Sequence, residues 1–127
     1  MATPNLITLT DPRSAAAEAY RTLRTNLMFS SVEHAIQTLL VTSPVEGEGK
    51  SEALANLAVT FAQGGNKTIL VDADLRRPAQ HNIWGVDNIG LTQMMIDDAS
   101  LANPPLIETA IENLMILPAG DNAPNPA

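Results

Sequence analysis

The sequence predicts an α/β domain, a P-loop-like parallel sheet with flanking helices, and three observations carry that prediction. Residues 38–41 and 68–71 are short apolar runs rich in β-branched side chains, the mark of buried parallel strands. Between them Leu54, Leu57, Ala58 and Phe61 recur at helical spacing, with Gly64-Gly65 as a stop signal. The link from the first run to the helix, 44–49, carries two glycines and leads into Lys50-Ser51. Strand, glycine-bearing loop, Gly-Lys-Ser and helix in that order make a phosphate cradle.

The cradle works through the backbone. Glycines let N–H groups turn inward around a phosphate, and the helix start adds free amides and a positive dipole end. Glu46, Gly47, Glu48, Gly49, Lys50, Ser51 and Glu52 are the expected nucleotide-binding residues. Lys50 supplies a point charge to the outer phosphates, and the Ser51 hydroxyl is suited to magnesium. The usual pattern has a glycine six positions before the lysine, where this chain has Pro44.

Beyond the second run, 68–71, the chain continues Asp72-Ala-Asp74-Leu-Arg-Arg-Pro78. Ligands of open parallel sheets sit beyond the carboxyl ends of strands, so both carboxylates are expected beside the cradle. Strand alternation points Asp72 and Asp74 the same way. With Ser51 they form an expected oxygen set for Mg2+, and either carboxylate is placed to take a proton from an attacking hydroxyl. Lys50, Asp72 and Asp74 are therefore the catalytic candidates. The competing interpretation is a solvated strand exit, where aspartate is common. Arg76 and Arg77 are set either to clamp phosphate or to pair with these acids. His34 and His81 lack metal-ligand spacing, and Trp84, Met94 and Met95 are expected in packing.

The remaining segments frame this unit. Residues 1–12 are expected to be extended, and a helix is expected over 14–31, burying Ala16, Ala19, Leu23 and Leu27. Glu18, Arg21 and Arg24 lie three apart along another stripe of it. Spacing alone favours an internally paired, solvated face over a docking surface. A short helix is expected from Leu91 to Ile96, then a turn through Asp97-Asp98-Ala99-Ser100. Pro104-Pro105 is expected to open a further helix to Glu112, before a third strand over 114–117.

The bulk numbers set bounds. At 127 residues the chain is one domain at most. A net charge of −7 opposes general nucleic-acid binding, but leaves a small nucleotide open because the cradle acts locally. Cysteine is absent, so thiolate metal sites and disulfides do not arise. No apolar run is long enough to span a membrane, which gives an expected cytoplasmic location.

Taken together, these residues resemble the bacterial tyrosine kinases of capsular and exopolysaccharide biosynthesis, a branch of the deviant P-loop ATPases. The resemblance runs over nearly the whole chain. It rests on Glu18-Ala-Tyr-Arg21-Thr-Leu-Arg24-Thr-Asn26, Gly47-Glu-Gly-Lys50-Ser51, Asn56-Leu-Ala and Asp72-Ala-Asp74-Leu-Arg76-Arg77-Pro78. Leu117-Pro-Ala-Gly120 with Pro124-Asn-Pro126 adds a further signature.

The resemblance implies ATP/ADP and Mg2+ as ligands, with Lys50 and Ser51 in the first phosphate motif and Asp72 and Asp74 in the second. It implies ring-like self-association through Glu18, Arg21 and Arg24, reversing the preference from spacing alone. It also implies a membrane activator, or polysaccharide co-polymerase, at the inner face of the cell membrane. Two departures stand out. The family's third acidic motif and its tyrosine cluster are absent, and Tyr20 is the only tyrosine. The 127 residues are therefore expected to be the N-terminal part of a kinase domain, binding nucleotide weakly alone. A partition-type ATPase, or a non-catalytic nucleotide-dependent module, is the alternative. The early loop lysine usual in the partition group is missing at Pro44, Val45 and Glu46.

Overall fold

The structure, a computed structural model, describes residues 3–30, 37–40 and 49–121. Its centre is helix α3, Lys50–Gln63, which is buried almost all round: Ala55, Asn56, Leu57, Ala58, Val59, Thr60 and Ala62 are all inaccessible. Small side chains make this possible, because a helix rich in alanine admits neighbours on several sides. On one side it packs against strands β1, Thr68–Val71, and β3, Leu114–Leu117, which pair in parallel with Thr68 opposite Leu114 and Val71 opposite Leu117. Leu70, Leu114 and Ile116 face the helix and form the core with Val59, Ala62 and Trp84. Ile69 and Val71, on the alternate positions of β1, are 53% and 41% exposed, so this face of the sheet is uncovered among the described residues.

On its other side α3 meets two N-terminal helices, α1, Ile7–Thr10, and α2, Ala15–Met28. The single turn of α1 replaces the expected extended segment. It is fixed from a distance, because Asn56 Oδ1 accepts from both the Thr8 amide and hydroxyl, at 3.1 and 2.7 Å. Ser14 caps α2 by accepting from the Ala17 amide at 3.1 Å, and the helix ends at Phe29, short of the expected Ser31. The buried face of α2 also differs. Ala17 is fully buried, whereas Ala16, Ala19 and Leu23 are exposed. Alanine burial drives helix rotation weakly. Arg24 fixes the phase instead, donating from Nη1 to the Thr60 carbonyl at 2.7 Å and lying over Gly64.

Two further expectations are corrected. Residues 37–40 form no strand, Leu40 is 84% exposed, and Val41 lies outside the described residues. An apolar run pairs only where a ladder and a covering face are both offered, and the adjoining sheet face is open. The expected helix from Pro104 is instead strand β2, Ile107–Glu108, antiparallel to β3 with Ile107 opposite Ile116. The two prolines hold extended backbone ahead of a β-branched residue, which the β3 edge then captures. Among the described residues the sheet thus has three strands in the order β1-β3-β2 and is mixed rather than wholly parallel.

Among the described residues three short helices follow: α4, Gln80–Trp84, α5, Leu91–Ile96, and α6, Asp98–Ala102. The second has its expected bounds, and α6 takes the place of the expected turn because the Asp97 carboxylate caps it through the Ala99 amide at 3.0 Å. The segment after β3 docks on the start of α5. The amides of Leu91 and Thr92 donate to the carbonyls of Pro118 and Ala119, at 2.8 and 3.0 Å. Asn88 closes the same seam with two 2.8 Å bonds to the Gly120 backbone. This approach leaves no room for a Cβ at Gly90, which would run into the Pro118 carbonyl. Gly90→Ala is expected to destabilise the full chain by about 3 kcal/mol, as overpacking against immobile backbone does, measured as a lower urea midpoint.

Candidate functional site

The site is assembled at the N-terminus of α3. Gly49 is its cap residue at φ +73°, a left-handed conformation that glycine adopts without steric penalty, and it has no side chain to close the helix start. The first-turn amides therefore face outward along the helix axis, with the positive end of the dipole behind them. Lys50 and Ser51 are half-buried in this turn and Glu52 is exposed.

Two cavities flank it. One, of about 430 Å³, runs past Leu40 and Lys50 to Val71 and Asp72. The other, of about 420 Å³, lies between Gly49, Glu52, Arg77 and Asn82. Lys50, Ser51 and Asp74 line both. A group seated at the helix start is thus open to approach from either side.

The acid pair separates into two roles. The chain leaves β1 at Val71, so alternation stops and the carboxylates do not share an environment. Asp72 is buried at 6% exposure, and three backbone amides surround it. Its Oδ1 accepts from the Asp74 amide at 3.0 Å, and Oδ2 from those of Ala79 and Gln80 at 2.9 and 3.0 Å. It thereby holds the start of α4 against the end of β1. Asp74 is exposed, and its Oδ1 accepts from the Arg77 amide at 3.0 Å. Among the described residues no three carboxylates or imidazoles cluster, and Ser51 and Asp74 are the hydroxyl and carboxylate that line both cavities. That mixed set suits magnesium.

The expected residues Glu46, Gly47 and Glu48 lie outside the described residues, as do His34 and the 124–126 signature. The structure brings Gly49, Lys50, Ser51 and Glu52 together with Asp72 and Asp74. It keeps Glu18 and Arg21 away from them, on α2, where Arg21 Nη2 reaches Glu18 at 2.7 Å and the Pro12 carbonyl at 2.6 Å. Trp84 is core, 4% exposed, and His81 has a buried, unpartnered Nδ1. Sequence inspection missed Gln80, which is 2% exposed and bonded to both Ser51 and Trp84. Its signal was the four-residue spacing to Trp84, which places the two side chains on one helix face.

Fold and site define a class: an α/β unit in which a glycine-opened helix start faces the carboxyl end of a parallel strand pair. No protein-family model matches the chain. It is 42% identical over 125 residues to the tyrosine-protein kinase YwqD of Bacillus subtilis, across 97% of this chain and 52% of that one. It is 43% identical over 117 residues to the putative tyrosine-protein kinase CapB of Staphylococcus aureus, across 91% and 51%. Among solved structures, the chimerical protein CapA2B2 matches with a TM-score of 0.87 and 40% identity, over 95% of this chain and 53% of that one. The kinase domain of the Escherichia coli tyrosine kinase ETK matches with a TM-score of 0.89 and 29% identity, over 99% and 49%. By sequence and by fold the chain is similar to these tyrosine-protein kinases, and it spans about half the length of the Bacillus and Staphylococcus relatives.

Proposed function

We propose that the chain supplies the nucleotide-binding half of an ATP-dependent protein-tyrosine autokinase that regulates capsular or exopolysaccharide biosynthesis. The carrying observation is the placement of Lys50, Ser51 and Asp74 on both cavities at a helix start opened by a left-handed glycine. Backbone amides and Lys50 bind the outer phosphates of ATP there, while Ser51 and Asp74 hold a magnesium ion, with Glu46, Gly47, Glu48 and Glu52 as the further nucleotide-binding residues of this reading. Magnesium, when bound, neutralises charge that develops on the transferring phosphoryl group. Asp74 is the acid disposed to accept the proton of an attacking phenol, because its carboxylate is exposed toward both cavities. Asp72 acts beside it by fixing the turn, and reaches the ion only by sharing an oxygen already bonded to amides.

Partners follow the same reading. Self-association into a ring runs through the α2 stripe of Glu18, Arg21 and Arg24, with Arg24 also bracing α3 from within. The exposed Leu23 and Ala19 widen that surface. Among the described residues no helix is long and apolar enough to cross a membrane. On this reading the kinase unit works in the cytoplasm, recruited to the inner membrane face by an activator protein.

The test is phosphoryl transfer by the full natural chain with γ-labelled ATP and Mg2+. Label is expected on protein tyrosine. Free phosphate without labelled protein would favour a partition-type ATPase, and binding without turnover a regulatory module.

A further inference from the structure

Gln80 is the most completely buried long polar side chain near the site, and its backbone amide, Nε2 and Oε1 are each bonded. Its backbone amide donates to Asp72 Oδ2 at 3.0 Å. Its side-chain Nε2 donates to the Ser51 carbonyl at 2.8 Å, and its Oε1 accepts from Trp84 Nε1 at 3.2 Å. An indole only donates and a carbonyl only accepts, so the partners fix which way the amide faces. The Ser51 carbonyl, inside the first turn of α3, already receives the helix bond from four residues on, and Gln80 takes its second lone pair. One residue thus ties the phosphate-facing turn, the Asp72–Asp74 turn and the core tryptophan. An aliphatic side chain would fill the same volume and keep the backbone bond to Asp72, but would lose the ties to Ser51 and Trp84.

We propose that Gln80 is a positioning residue that sets the first turn of α3 against the acid turn, and that Trp84 senses occupancy of the nucleotide site through it. This rests on the nucleotide reading of Lys50 and Ser51. Geometry at the helix start decides how well its amides and Lys50 converge on phosphate, and small displacements there are felt strongly in binding. Trp84 sits one hydrogen bond beyond the Ser51 contact, in a 4% exposed pocket. Any shift of that turn therefore changes the field at its indole N–H.

The experiment uses the full natural chain with Mg2+ and a fluorescently labelled ADP. Gln80→Met, close in volume and unable to form the two side-chain bonds, is expected to bind about tenfold more weakly, the effect of one well-placed hydrogen bond. Trp84→Phe keeps the Ser51 contact and is expected to bind within about twofold of the natural chain. In the unmodified chain the Trp84 indole ¹⁵N–¹H resonance, assigned by its loss in Trp84→Phe, is expected to shift on saturation with ADP and Mg2+. Unchanged affinity in a folded Gln80→Met overturns the proposal, and so does an indole resonance that stays put at saturation. The resonance decides alone if Gln80→Met does not fold. A natural chain that binds no labelled ADP overturns the nucleotide reading and this inference with it.

Discussion

Asp72→Ala is expected to destabilise the full chain by about 3 kcal/mol, while Asp74→Ala leaves stability nearly unchanged and lowers phosphotransfer by about a hundredfold. The contrast follows from what each carboxylate touches. Removing Asp72 strips the acceptor from three amides at once, those of Asp74, Ala79 and Gln80. Each buried orphan amide costs about 1–3 kcal/mol, and the two nearer the surface recover part of that from water. Among the described residues Asp74 accepts from the Arg77 amide, in an exposed turn where water substitutes readily. Asp72→Asn is a useful intermediate, because its amide group retains one acceptor and turns a donor toward other donors. Urea unfolding without nucleotide measures the stability arm, and phosphotyrosine formation with Mg2+ and ATP measures the other. Equal destabilisation by the two alanine variants would refute the division of roles.

That division also marks where the sequence stops being legible. The run Asp-Ala-Asp after an apolar strand announces carboxylates at a sheet edge, and the structure places both there. It does not announce that amides seven and eight residues on will close around the first of them. Likewise the bounds of 68–71 and 114–117 match their short apolar runs, although residues 37–40, part of a similar run, form no strand. The helix from Lys50 is legible through its spacing and its glycine stop. What escapes are elements made by distant partners. The α1 turn exists because Asn56 receives Thr8, forty-eight residues away. β2 exists because β3 presents an edge, and α4 because Asp72 caps it from outside. The rotation of α2 is misjudged for a related reason: alanines give little signal, and Arg24 reaching the Thr60 carbonyl decides the face. Short helices below about two turns have no propensity strong enough to show against tertiary contacts.

Lys50→Met is expected to weaken nucleotide binding and phosphotransfer by at least a hundredfold while slightly raising stability. The two signs separate a binding residue from a structural one. Lys50 is a cation in the first turn of α3, where the helix dipole is positive, so its charge opposes the fold locally. Such a placement costs about 0.3–1 kcal/mol, and methionine keeps the aliphatic stem without the charge. Glu52, an acid in the same turn, carries the favourable sign, so Glu52→Gln is expected to lose a comparable small amount. Only a bound anion makes the lysine favourable, because its charge then meets that of phosphate. Calorimetric titration with ADP and Mg2+ reads the affinity, and urea unfolding of the same samples without ligand reads the stability. A Lys50→Met chain that loses stability in step with affinity would make the lysine a packing residue, and the helix start an ordinary one.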